Sequence, residues 1–124
     1  MKFKTLMIIK AVVCLSLGIP ILFFPEFLYG LFGYSLNGAT YPAQEYGASL
    51  IGNMLLTWIG RNTEQSIGRT AITWALFVYD AIGFVITLIL ALSGQANGLI
   101  WMPVLLYLAL TLGFGYFLLK PTAP

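Results

Sequence analysis

Asp80, in the run FVYDAIGF, is the acidic side chain set deepest in an apolar stretch of this sequence, and any chemistry would be sought there first. It lies about ten residues into a hydrophobic segment, about 15 Å along a helix and so near the middle of a bilayer. A carboxylate at that depth costs about 2.5–3.5 kcal/mol on insertion scales, and it therefore calls for a partner or a cavity. Two roles fit such a group. It can be a protonated carboxyl that hydrogen-bonds neighbouring helices and fixes their register. It can also titrate, or attract a cation, inside a cavity.

The spacing of other polar residues predicts what surrounds it. Thr73, Asp80 and Thr87 recur at seven-residue intervals and share one helical face. In the preceding segment Glu45, Ser49, Asn53, Thr57 and Arg61 recur every four residues, a polar row that winds slowly around its helix. A hairpin folded about residues 61–69 brings Thr57 level with Thr73 and sets Ser49 and Asn53 on either side of Asp80. Across the SGQANG turn, Thr111 reaches a similar depth. Near the start of the chain, Pro20 cannot donate to the carbonyl of Ser16 and leaves an open acceptor. The predicted intramembrane polar cluster is therefore Asp80, Asn53, Ser49, Thr73, Thr87, Thr111 and Ser16, with Tyr107 above it. The hydroxyls are the weaker members, because Ser and Thr in membrane helices bond back to their own backbone.

Several chemistries are excluded by what is missing. With no histidine, His-ligated haem or metal sites and Ser–His–Asp or Cys–His catalysis have no basis within this chain. The single cysteine, Cys14, lies in an apolar run and reads as a packing residue. The glycines lack the spacing and the lysine of a phosphate-binding loop. A net charge of +2 is too small for a nucleic-acid surface. No catalytic residue, metal site or cofactor is expected.

The elements that must position Asp80 follow from composition. Of 124 residues, 60% are hydrophobic and 8% charged, against about 25% charged in an ordinary soluble domain. Mean hydropathy is +0.92. A bilayer is the solvent such a chain requires. Four stretches are long enough to cross one as helix, at about 5–24, 43–60, 70–93 and 98–119. The predicted fold is an all-α integral-membrane four-helix up-down bundle, a single domain. The connections GRNTEQSIGR and SGQANG are short enough to make the spans they join antiparallel neighbours. The segment 25–42 is aromatic-rich and broken by glycines, and reads as a short amphipathic helix at the interface followed by a turn.

Lys2 and Lys4 before an apolar run imitate a signal peptide, but Lys10 interrupts that run and no A-x-A site follows, so a retained helix is expected. Four crossings put Lys2, Lys4, Lys10, Arg61, Arg69 and Lys120 on one side, with only Glu26 and Glu45 on the other, which predicts cytoplasmic termini. Tyr29, Tyr34, Tyr41, Tyr46 and Trp101 then form an outer aromatic belt, and Trp58 and Trp74 anchor the inner boundary. Rows of small residues (Ala71, Ala75, Gly83, Thr87 and Ala91; Ala48 and Gly52; Ala109 and Gly113) allow close helix packing, within one chain or between two copies.

Four spans, the FFPEFLYGLFGYSL segment after the first, W-x-x-R at Trp58–Arg61 and G-x-x-W at Gly98–Trp101 together resemble the small bacterial four-helix membrane proteins loosely similar to the DoxX-like group. The resemblance covers most of the chain. It implies a multi-pass protein of the bacterial inner membrane and transfers no catalytic residue. Small multidrug exporters share the length and helix count, yet their essential acidic residue sits in the first helix, where this chain has none. The expected function is an accessory or scaffold subunit, or a binder of an apolar ligand. Its partners would be the lipid bilayer and a membrane protein or second copy. The alternative is an oligomeric proton-coupled transporter or channel using Asp80. A membrane enzyme ranks third, since no acid–base pair shares one depth.

Overall fold

A computed structural model describes residues 2–123. It contains α1 (Phe3–Phe23), α2 (Pro25–Leu31), α3 (Thr40–Gly60), α4 (Ile67–Ser93) and α5 (Trp101–Leu119), the last entered through a 3₁₀ turn at Gly98–Ile100. The all-helical expectation holds, with no strand among the described residues. Pro25 begins α2, where its fixed φ suits a first helical residue and its missing N–H costs nothing. The 25–42 segment thus supplies a seven-residue helix whose Phe27 and Leu31 face outward. Gly94, at φ +77°, closes α4 in the left-handed conformation.

Three helices are long and apolar enough to cross a membrane: Phe3–Phe23, Ile67–Ser93 and Gly98–Leu119. The expected span 43–60 is helical but is not among them. α3 has the same 21-residue length as α1, yet its row of Gln44, Glu45, Ser49, Asn53 and Thr57 dilutes its hydropathy.

Pairing departs from the expected hairpin. α1 lies along α3 and α4 lies along α5, whereas α3 and α4, although joined by a short loop, make only sparse contact, Tyr79 of α4 reaching the cluster that holds Leu50 of α3. A weaker contact between α1 and α5 joins the two pairs, so the order around the bundle is α3–α1–α5–α4 with a gap between its ends. Gly47 explains part of this. A Cβ there would sit 2.7 Å from the backbone nitrogen of Leu22, so only glycine lets α3 approach α1 so closely. Gly113 plays a similar part for α5, where a Cβ would come 2.9 Å from Leu6 of α1. Gly52, by contrast, faces open space.

The two ends of the bundle are built differently. At the end holding the N-terminus, the 61–66 loop and the C-terminus, a core of Phe3, Leu6, Met7, Leu76, Leu110, Phe114 and Phe117 ties α1, α4 and α5 together. Phe3 meets Phe117 edge to face with centroids 5.4 Å apart. Arg69 lies over the Phe3 ring and donates to the carbonyl of Ala123 at 2.8 Å. At the far end, Asn97 holds the end of α2 through two bonds. Its side chain donates to Leu31 O at 2.9 Å and its backbone N–H to Phe32 O at 2.7 Å. Gln44 donates to the carbonyl of Leu22 at the end of α1. Between these stitches the helices enclose empty space.

Candidate functional site

A cavity of about 580 Å³ occupies the half of the bundle toward α2. Its walls run from Lys10 to Ile21 on α1, from Tyr79 to Leu90 on α4 and from Ile100 to Leu110 at the start of α5. Ten or eleven residues of helical rise make a slot about 15–16 Å long. Tyr29 and Phe32 roof it, and Leu50, Cys14 and Lys10 close its floor. Most of its lining is aliphatic or aromatic. The sparse α3–α4 contact leaves it open at the side, where Pro42 on α3 and Ile82 and Ile86 on α4 line the gap and are exposed.

At the floor Lys10 Nζ donates to Asp80 Oδ1 at 2.6 Å. Both residues are fully buried, Lys10 at 1% exposure and Asp80 at 0%. This corrects the placement of Lys10 among the charges at the cytoplasmic end. Lys10 is the eighth residue of α1, about 11 Å from the helix start. Heptad spacing puts it on the same face as Phe3 and Leu17, with Met7, Cys14 and Ile21 alongside. That face packs inward, so the ammonium is carried into the bundle and meets the one acid at its depth. Pairing cancels both charges, which makes burial tolerable for each. Neither partner is tolerable alone, because an uncompensated buried charge costs about 3–5 kcal/mol.

Two further features complete the floor. Lys10 Nζ stands 4.7 Å from the centroid of the Tyr79 ring, a cation–π contact. Asp80 Oδ2 and the Tyr79 hydroxyl are buried with no hydrogen-bond partner among the described residues. Next along the slot, the Tyr46 and Tyr107 hydroxyls bond each other and link α3 to α5 across it. The Tyr107 ring lies where a side chain at Gly83 would be, so that glycine is required to seat it. At the roof, burial pushes the Tyr29 phenol above its ordinary value, with Tyr34 adding to the shift, and it stays a neutral hydroxyl.

The other residues of the expected cluster lie elsewhere. Ser16 and Ser49 are exposed. Asn53 donates to Ser49 O on its own helix at 2.9 Å. Thr57, Thr73, Thr87 and Thr111 each bond a carbonyl three or four residues earlier. None of them bonds Asp80: Ser49, Asn53 and Thr57 sit on α3, which lies along α1, and the threonine hydroxyls are taken by their own helices. Thr87 still lines the slot. Tyr46, assigned to the outer belt, is instead inside, and Lys10, Tyr46 and Tyr79 are the polar residues that spacing alone did not place at the site.

The arrangement offers an elongated apolar chamber with a neutralised ion pair and phenolic hydroxyls at its base, and no group set up as a nucleophile. Compared with known protein families, with curated proteins and with solved structures, the chain finds no match.

Proposed function

We propose that this is a multi-pass protein of the bacterial inner membrane that holds a small apolar molecule in the slot between its two helix pairs. The observation that carries the reading is the slot itself. Apolar voids inside bundles are normally filled by side chains, and one of about 580 Å³ falls within the ordinary range of ligand pockets. Its open side faces the surroundings of α3 and α4, so a ligand dissolved in lipid reaches it without crossing water. In this reading α3 is a fourth crossing, its polar row turned partly toward neighbouring helices. The termini and the Arg61–Arg69 loop face the cytoplasm. Support for that orientation comes from Arg69 meeting both Phe3 and Ala123 at one end, and from Glu26 bonding Thr40 at the other.

The test is the content of the slot. Protein taken from its membrane into lipid nanodiscs should carry one apolar small molecule per chain in a native mass spectrum. Val13→Phe, which narrows the slot at a half-buried wall position, should carry none while melting at the same temperature. Two empty or two equally loaded proteins would remove the proposal. The transporter alternative draws on the partnerless Asp80 Oδ2. It requires Asp80→Asn to abolish substrate-driven proton movement in liposomes, and unchanged movement rejects it.

A further inference from the structure

We infer that the slot takes one acyl chain of a zwitterionic phospholipid from the leaflet on the α2 side, whose head group stays outside beside Glu26. This rests on the slot being a ligand site. α1 has 21 residues, so it is about 31 Å long and matches the bilayer's hydrocarbon thickness of about 30 Å. The slot follows α1 from Lys10 to Ile21 and stops two residues before that helix ends at Phe23. Its length of about 15–16 Å is therefore that of a single leaflet. The closed end lies near the midplane, and α2 lies at head-group level.

The walls set the direction of the chain. At the closed end Lys10 is 1% exposed and already paired with Asp80, and Cys14, Leu50 and Leu110 are buried beside it. Nothing polar is offered there, so the hydrocarbon end points to the floor. Pro42 is the third residue of α3 and Ile86 the twentieth of α4, which puts the side opening in the α2-side leaflet. A chain slides in through it while its phosphate stays hydrated, and no polar group has to be buried.

Charge selects the head group. Tyr34 and Leu36 line both the slot and an open polar cup beside α2, so the two spaces adjoin. The one charged side chain of the cup is Glu26, whose hydrogen-bond partner among the described residues is the Thr40 hydroxyl at 3.3 Å. A carboxylate bonded once keeps acceptor capacity. No Lys or Arg occurs within residues 11–60 or 70–119. A fatty-acid carboxylate or an anionic phospholipid would meet Glu26 with no cation to offset it. A zwitterionic head brings its own ammonium to that carboxylate.

Four probes separate these cases: palmitoyl-oleoyl phosphatidylethanolamine, the matching phosphatidylglycerol, palmitate and dodecane, each offered to the protein in mild detergent and counted by native mass spectrometry. Phosphatidylethanolamine should fill one site per chain, about fivefold more tightly than phosphatidylglycerol or palmitate. Val13→Phe should lose it at an unchanged melting temperature. Lipid kept by that variant would sit on the outer surface and overturn the inference. Glu26→Gln should equalise the two phospholipids and leave dodecane unchanged. Phosphatidylglycerol or palmitate binding best, or a preference surviving Glu26→Gln, would overturn the inference. A nitroxide at the chain end should broaden the methyl NMR signals of Leu50 and Leu110, and one beside the glycerol those of Leu28 and Leu36. The reverse order would overturn it too. Dodecane binding without either phospholipid would sink the inference while the slot reading stands, and none of the four binding would remove both.

Discussion

The half of the bundle at the chain termini is filled, and the half toward α2 is hollow, although both are built from the same helices. In the filled half, Phe3, Met7, Leu76 and Phe114 are almost completely buried and interlock across α1, α4 and α5. In the hollow half, α1 and α3 pack closely around Cys14, Ile21 and Leu50, but across the cavity the contacts are hydrogen bonds, Asn97 to the end of α2 and Tyr46 to Tyr107. Lipid supplies no hydrophobic force between helices, so association rests on packing contacts and interhelical bonds. The filled half uses mainly the first; the hollow half uses it between α1 and α3 and relies on the second across the cavity. Packing that joins α1, α4 and α5 is therefore confined to one half, which leaves the other free to keep an interior that its own side chains do not fill.

The ion pair lies on the boundary, and breaking it tests the comparison most severely. Lys10→Met leaves Asp80 buried without compensation, and unfolding in mild detergent should show a loss of about 3–5 kcal/mol. Lys10→Met combined with Asp80→Leu should recover most of that loss, since an apolar pair of similar volume suits the same surroundings. Additive losses in the double variant would mean that the two residues do not act as a pair.

Truncating one leucine in each half compares them directly. Leu76→Ala empties a position only 1% exposed in the filled half. It should cost about 2–3 kcal/mol, toward the lower part of the range for aqueous cores because lipid leaves mainly the packing contribution. Leu90→Ala, on the wall of the hollow half, only enlarges an existing void and should cost less than about 1 kcal/mol. Equal losses would abolish the distinction. Gly83→Ala sharpens it from the other direction, because the added methyl overlaps the Tyr107 ring. The expected cost is about 1–2 kcal/mol in the same melt.

How much of this was legible beforehand depended on which physical rule governed each part. Helix existence followed from long apolar runs, because a chain in lipid must satisfy its backbone internally. The apolar run 98–119 is helical, a 3₁₀ turn at Gly98–Ile100 leading into α5. Asp80 announced itself as a charge inside such a run. Lys10 did not, because lysine near a helix end is ordinarily a topology signal with a side chain long enough to reach the interface. A clue was present in charge balance. One buried acid needs one base, and Lys10 is the only basic residue carried within an apolar run, on a face shared with Phe3 and Leu17. Helix pairing was hidden for a different reason. Short loops favour adjacency, yet the fit of Gly47 to the backbone of Leu22 draws α3 onto α1, and that depends on surface shape at one residue. With α3 drawn along α1, Ser49 and Asn53 do not bond Asp80, and Lys10 pairs with it instead.

The smallest effect distinguishes two phenols that look equivalent in sequence. Tyr107 and Tyr79 both line the slot, but Tyr107 bonds Tyr46 across it, whereas the Tyr79 hydroxyl has no hydrogen-bond partner of normal geometry among the described residues. Tyr107→Phe removes one partner of an interhelical bond and leaves the Tyr46 hydroxyl open in a half-buried position, a loss of about 1 kcal/mol. Tyr79→Phe removes a hydroxyl whose desolvation nothing offsets, so the apolar ring should cost nothing or add a few tenths of a kcal/mol. Detergent unfolding of the two variants side by side reads the difference. If Tyr107→Phe melts with the parent protein, the hydroxyl bridge does not hold the two helix pairs, and the hollow half owes its shape to the helix ends alone.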